Sequence, residues 1–271
     1  MEETPTIQLP KWLDDLIFNE LGAKYCRQNA TMTNIDDDKE KALNYLGTYF
    51  PRSYAEAYLL FSALFKEERQ AYIGKNELSI FDFGCGTGGE IIGLLTAIEE
   101  KLPEVQSVEI VAFDGNNDAL RLYEQVLAKF KVLSKVAVNN QIFPTKVTDF
   151  YDLSIVEDVL TNDFDLIITF KAICEFVTKQ QFEQQNPYEH IVKTFLPKLK
   201  NDGYMVLEDI TVPVSYGVSE EWLPKIMDKG LSETECEVVY DNPNYNIAIY
   251  VNHSRKKDDV SKVAWRIIKM K

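Results

Sequence analysis

The chain has 271 residues, of which 45% are hydrophobic, and its 29 Lys and Arg against 43 Asp and Glu leave a net charge of −14. That length and apolar content fit one packed domain with or without an appendage, and 12 glycines with 10 prolines are too few for a low-complexity chain. The acidic excess opposes an extended polyphosphate-binding surface, so DNA is not expected as a partner.

No apolar stretch approaches the roughly 20 residues needed to cross a bilayer, the longest lying around Tyr58 to Phe65, so no membrane partner is expected. The opening Met1-Glu2-Glu3 lacks the basic start of a secretory signal. Cys26, Cys85, Cys174 and Cys236 are scattered without a Cys-x-x-Cys pair, against both a disulfide framework and a zinc knuckle. A reducing cytoplasm suits them, and no metal site is expected.

In chain order, residues 10 to 70 read as helical. Pro10 opens a segment with Leu13, Leu16, Ile17 and Leu21 at helical spacing, Asp36 to Asp38 place negative charge at the start of a second helix, and Pro51 suits the first turn of a third. After Asn76, strands are predicted at 79–83, 108–113, 165–170 and 204–208, with a weaker one near 142–147. Helices are predicted at 90–101, 118–130, 179–199 and 220–229. This alternation implies an α/β fold with a mostly parallel, doubly wound sheet, whose ligand lies beyond the carboxyl ends of its strands. Residues 236–240, 246–252 and 263–270 follow without intervening helices and predict a terminal antiparallel hairpin.

A buried strand runs into a turn made of Gly84, Gly86, Gly88 and Gly89, which lets a ligand approach the main chain. Gly84-x-Gly86-x-x-Gly89 also satisfies the dinucleotide fingerprint. Asp82 directly before the first glycine, the helical preface and the terminal hairpin argue against a dinucleotide. Asp114 ends the next strand, where a carboxylate can accept from both ribose hydroxyls or place charge at a helix start. Asp149-Phe150 pairs an acceptor for an exocyclic amine with a ring that can stack on a purine, or simply ends a strand before a helix.

Asp82-Phe83-Gly84-Cys85-Gly86-Thr87-Gly88, with Asp114, Asp149-Phe150 and the hairpin, resembles the class I S-adenosylmethionine-dependent methyltransferases over roughly residues 76 to 271. The resemblance implies a Rossmann-like fold, S-adenosylmethionine as cofactor and a methyl acceptor as partner. It makes Asp82, Gly84, Cys85, Gly86 and Gly88 the cofactor turn, Asp114 the ribose ligand flanked by Gly115 and Asn116, and Asp149-Phe150 the adenine site. Residues 1–75 then form a helical lid or extension. The segment Phe164 to Phe176, with the upstream helix of Arg52 and Tyr54, is also similar to methyltransferase-like proteins of the mitochondrial small ribosomal subunit, without their cysteine cluster.

The acceptor is expected beside Thr169 to Glu175, where no Asn/Asp-Pro-Pro-aromatic or Pro-Cys sequence occurs, so Cys174 reads as packing. Lys171 is a candidate cofactor contact. Glu175 is the candidate catalytic group, able to take a proton or hold a cation, or to cap a helix. Arg52 offers a fork to the cofactor's carboxylate, with Tyr54 beside it, or is a surface residue. His190 and His253 read as structural. Glu208 and Asp209 are expected to make the pocket mouth negative, favouring a small molecule or basic protein segment over RNA. The cations from Arg255 to Lys271 pull the other way, toward ribosomal RNA, unless they defend an edge strand. A non-catalytic cofactor-binding assembly factor and, less favoured, a dinucleotide-dependent oxidoreductase are the alternatives.

Overall fold

Apolar runs too short for helices and buried on both faces become the centre of a sheet. The computed structural model describes residues 6–26, 38–211, 217–239 and 247–271. A short strand, β1 (Thr6–Gln8), precedes α1 (Lys11–Asp15), its π-helical continuation Leu16–Glu20, α2 (Lys39–Thr48) and α3 (Phe50–Glu67). Alternation then runs β2 (Glu77–Phe83), α4 (Gly89–Lys101), β3 (Ser107–Asp114), α5 (Asn117–Leu133), β4 (Ala137–Pro144), α6 (Ser154–Glu157) and β5 (Phe164–Phe170). After β5 come α7 (Ile173–Phe176), α8 (Lys179–Gln184), α9 (Pro187–Phe195), β6 (Leu199–Ile210) and α10 (Trp222–Ser232). Three strands close the chain: β7 (Cys236–Val238), β8 (Ile247–His253) and β9 (Lys256–Met270).

The strands order as β1-β8-β9-β6-β5-β2-β3-β4, with β7 beside β9. Strands β2 to β6 pair in parallel, and β9 runs antiparallel to β6, β7 and β8. This is the expected mixed α/β sheet with its terminal hairpin. Strand order reverses between β2 and β5, which opens a crevice at their carboxyl ends.

Two buried clusters cover the two faces. Leu78, Ile80, Ile110, Leu166 and Ile168 face α3 and α4, where Phe61, Ile91 and Leu95 meet them. Phe81, Phe83, Phe113, Ile167 and Met205 face α9 and α10 through Tyr188, Phe195 and Met227. Helix α3 crosses α4 so closely that a Cβ on Gly93 would lie 2.4 Å from the Tyr54 carbonyl oxygen.

Four expectations change. Among the described residues, 10 to 70 do hold three α-helices, but β1 precedes them and joins the sheet beside β8. Strand β4 starts at Ala137, earlier than predicted, because it is a sheet edge whose residues alternate between exposed and half-buried and form no apolar run. The single helix predicted at 179–199 is divided where Asn186 caps a new start, its side chain accepting from Tyr188 and Glu189 N–H, with Pro187 at the first position. Finally, β9 is no edge strand, since β6 lies on one side and β8 on the other. The predicted turn at Asp241 to Asn244 lies outside the described residues.

Candidate functional site

A cavity of about 360 Å³ lies at the reversal point of the sheet. Its floor is the glycine turn after β2, represented by Gly84 and Gly86. Asp114 at the end of β3 with Gly115 and Asn116 after it, and Lys146, Val147 and Thr148 after β4, line one end. The turn after β5 closes the other, with Phe170, Lys171, Ala172, Glu175 and Phe176, and Tyr45 reaches in from α2.

The turn needs glycine for two reasons. Gly84 has φ +83°, and a Cβ there would lie 2.4 Å from the Cβ of Ala172, so the turns after β2 and β5 touch. Gly88, at φ +79°, caps α4, and a Cβ there would lie 2.0 Å from the Tyr123 ring. Gly88 therefore serves packing behind the cavity and does not line it. Cys85 does not line it either: its N–H donates to the Phe113 carbonyl at 3.1 Å and its side chain is buried in the core.

Asp114 is held by the backbone it faces. The N–H of Gly86 donates to one carboxylate oxygen at 2.8 Å and that of Asn116 to the other at 2.7 Å. Asn116 also caps α5, accepting from the Ala119 N–H at 3.0 Å. Asp82 lies beneath the turn, fully buried, and neither of its oxygens has a hydrogen-bond partner. Burial, then the charges of Glu90 and Asp114, push its carboxyl well above the usual range. Glu90, in the first turn of α4, is pushed up to about 8, chiefly by burial.

On the opposite wall the Tyr45 hydroxyl donates to Glu175 at 3.2 Å, and its ring packs on Tyr49 with centroids 4.7 Å apart. Burial, then the Glu175 charge, raises the Tyr45 hydroxyl well above its ordinary value, so it stays a donor at neutral pH. Lys171 has φ +57°, and its buried ammonium is bound by Glu56 of α3.

Other expected contacts are placed elsewhere. Arg52 forms a two-pronged ion pair with buried Asp259, Nε and Nη2 each at 2.9 Å from a carboxylate oxygen, so its fork is occupied within the protein. Tyr54 is buried against Tyr58, their rings parallel within 5°. Asp149 is exposed and accepts from the Tyr151 N–H at 3.0 Å, while Phe150 packs on Phe83 and Phe176 in the core. The residues just before them, Lys146 to Thr148, line the cavity in their place. Glu208 and Asp209 are 2% and 0% exposed, so they do not form its mouth. Sequence reasoning missed Tyr45, Lys146, Val147, Thr148 and Phe176; only the strand end at Pro144 signals any of them. Among the described residues no group of three or more His, Cys, Asp or Glu could hold a metal ion.

The family described as "Methyltransferase domain" matches residues 74–263. No curated protein matches the chain in sequence. Among solved structures, a precorrin-6Y C5,15-methyltransferase of Geobacter metallireducens is 16% identical, with a TM-score of 0.43 over 77% of this chain and 89% of that one. CalH, a methyltransferase in complex with SAH, is 12% identical, with a TM-score of 0.48 over 84% of this chain and 60% of that one. A Listeria monocytogenes protein described as a class I S-adenosylmethionine-dependent methyltransferase is 14% identical, with a TM-score of 0.45 over 82% and 60% of the two chains. The chain thus spans about three fifths of the length of the last two.

Proposed function

Because the chain belongs to the family of methyltransferase domains, enzymes that use S-adenosylmethionine, we propose that the cavity at the sheet reversal holds this cofactor and that Asp114 binds its ribose. The observation that carries the assignment is the Asp114 carboxylate, pinned by the amides of Gly86 and Asn116 at the cavity wall. Val147 and Thr148 would flank the adenine, the backbone of Gly84 and Gly86 would run along the methionine portion, and Asp82, buried beneath the turn with neither oxygen hydrogen-bonded, offers acceptor capacity under that end. When bound, S-adenosylmethionine supplies a methyl group on sulfur whose leaving group is a neutral thioether.

The chain's own task is then to orient the acceptor and deal with its proton. An acceptor held in line with that methyl group would have to shed a proton as it is methylated, and this chain must supply the group that receives it. Glu175, oriented by the Tyr45 hydroxyl on the wall facing the glycine turn, takes that proton or holds a cationic portion of the acceptor. We favour a neutral or basic small molecule, or a basic protein segment. Three cations of the β9 segment support this over RNA: Lys262, Arg266 and Lys269 pair with Glu220, Asp228 and Glu237 at 3.2, 2.6 and 3.4 Å. Residues 1–75 are, in this reading, an extension that completes the pocket through Tyr45. Four free cysteines support a reducing cytoplasm, and no described helix is long and apolar enough to cross a membrane.

Titration calorimetry with S-adenosylmethionine and with NAD tests the assignment. Micromolar S-adenosylmethionine binding without NAD binding is expected, and tighter NAD binding would overturn it.

A further inference from the structure

Lys171 sits at the most constrained point of the cavity wall. It follows the last residue of β5 with φ +57°, a conformation residues with a Cβ seldom adopt and which must be held by their surroundings. Two contacts hold it. Its N–H donates to the Glu208 carbonyl of the neighbouring strand at 2.8 Å, and its ammonium is paired with a carboxylate oxygen of Glu56. Both side chains of that pair are buried, 7% and 0% exposed, where screening by water is weakest. Glu56 belongs to α3, outside the strand–helix alternation that builds the cavity.

We infer that Glu56 is a positioning residue for S-adenosylmethionine: through the ammonium of Lys171 it fixes the turn after β5 against the glycine turn. The inference rests on the cofactor assignment above. Phe170, Lys171 and Ala172 line the cavity in succession, and Ala172 is the residue that a Cβ on Gly84 would strike. A relaxation of Lys171 toward ordinary backbone angles would therefore move Ala172 across the floor on which the cofactor lies.

Geometry assigns the role to Glu56 and not to its neighbour. Lys171 lies near two buried acids, Glu56 and Glu208. The ammonium bonds directly to Glu56, whereas neither carboxylate oxygen of Glu208 has a hydrogen-bond partner, and burial, then Glu56, pushes the Glu208 carboxyl well up. An ion cluster around buried Asp165 provides contrast. Lys75 and Lys200 meet Asp165 at 2.8 Å each, at the amino end of β5, and none of the three lines the cavity. That cluster can stabilise the fold without touching the cofactor.

The test is a double-mutant cycle read by calorimetry with S-adenosylmethionine, below the melting temperature of each variant, with amide hydrogen exchange of the ligand-free protein. Glu56→Gln should weaken binding at least tenfold and speed exchange of the amides at 171 to 173. In a Lys171→Met background the same change should alter affinity less than twofold, because the ammonium through which Glu56 acts is gone. Asp165→Asn should lower the melting temperature and leave affinity within twofold. Should Glu56→Gln not fold, Glu56→Asp keeps the charge but shortens the arm, and should show the same background-dependent loss at about threefold to tenfold. An equal effect of the Glu56 change in both backgrounds, or no effect in either, overturns the inference. Absence of binding by the unaltered protein would overturn the cofactor assignment itself, and this inference with it.

Discussion

Replacing Arg52 by methionine separates two roles that the residue could have. The guanidinium meets both oxygens of Asp259 at 2.9 Å, and the side chains are 10% and 0% exposed. Asp259 also accepts from the Tyr25 hydroxyl at 3.0 Å and lies 3.5 Å from His253 Nε2, so the pair joins the segment after α1 to α3, β8 and β9. Arg52→Met keeps most of the aliphatic stem and leaves a buried carboxylate without its cation, a loss of about 3–5 kcal/mol. At about 2–4 °C per kcal/mol for a chain of this size, the melting temperature at pH 7 should fall on the order of 10 °C.

The pH dependence has a definite sign. Burial raises the Asp259 carboxyl, but His253, 3.5 Å away, and the hydrogen bonds and charge of Arg52 outweigh it and hold the group at about 2, below its ordinary 3.8. A depressed carboxyl contributes stability in full above its unfolded value and loses it as pH falls from about 4 toward 2, here about 2 kcal/mol. In the variant the same carboxyl, buried without its partner, protonates readily. Differential scanning calorimetry from pH 7 to pH 3 should therefore show the gap between the two proteins narrowing. A melting temperature within about 1 °C of the unaltered protein, together with a tenfold loss of S-adenosylmethionine affinity, would refute the structural role and restore the fork to the cofactor.

Asp114→Ala should weaken S-adenosylmethionine binding by about 1–3 kcal/mol, since it removes charge-assisted acceptors for two hydroxyls; calorimetry measures it. Gly88→Ala should destabilise the fold by about 3 kcal/mol or more in denaturant titrations, because its Cβ would enter the Tyr123 ring and its φ is positive. Glu175→Gln should lower kcat for a basic acceptor by about 10²-fold or more while S-adenosylmethionine affinity stays within twofold, read as thioether product release and calorimetry. Chelation with EDTA should leave turnover unchanged.

The central strands were legible because burial on both faces leaves nearly unbroken apolar runs, as in β5, all seven of whose residues are buried. The glycine turn announced itself through residues that only a close approach requires. Contacts formed by folding back over long separations were not legible: Arg52 and Asp259 are 207 residues apart, and a fork drawn by a distant carboxylate looks in sequence like one waiting for a ligand. Tyr45 was missed for the same reason, being one aromatic on an amphipathic helix until the fold brings it to Glu175, 130 residues on. Lys146 to Thr148 were displaced in the reading because β4, an edge, has no apolar signature to fix its end.

Strand β1 has a consequence for how the chain is made. Thr6 to Gln8 pair with Tyr250 to Asn252, and the Leu9 N–H donates to the Asn252 carbonyl at 3.0 Å. Gln8 and Asn252 are 244 residues apart, which a ribosome at about 5–20 residues per second covers in roughly 10–50 s. Throughout that interval the nascent chain holds Leu9, Leu13 and Ile17, all 1% or less exposed at the end, without the strand that anchors their segment. The sequence separation at this edge places its closure late, after β8 has emerged, and leaves these apolar residues without that anchor until then.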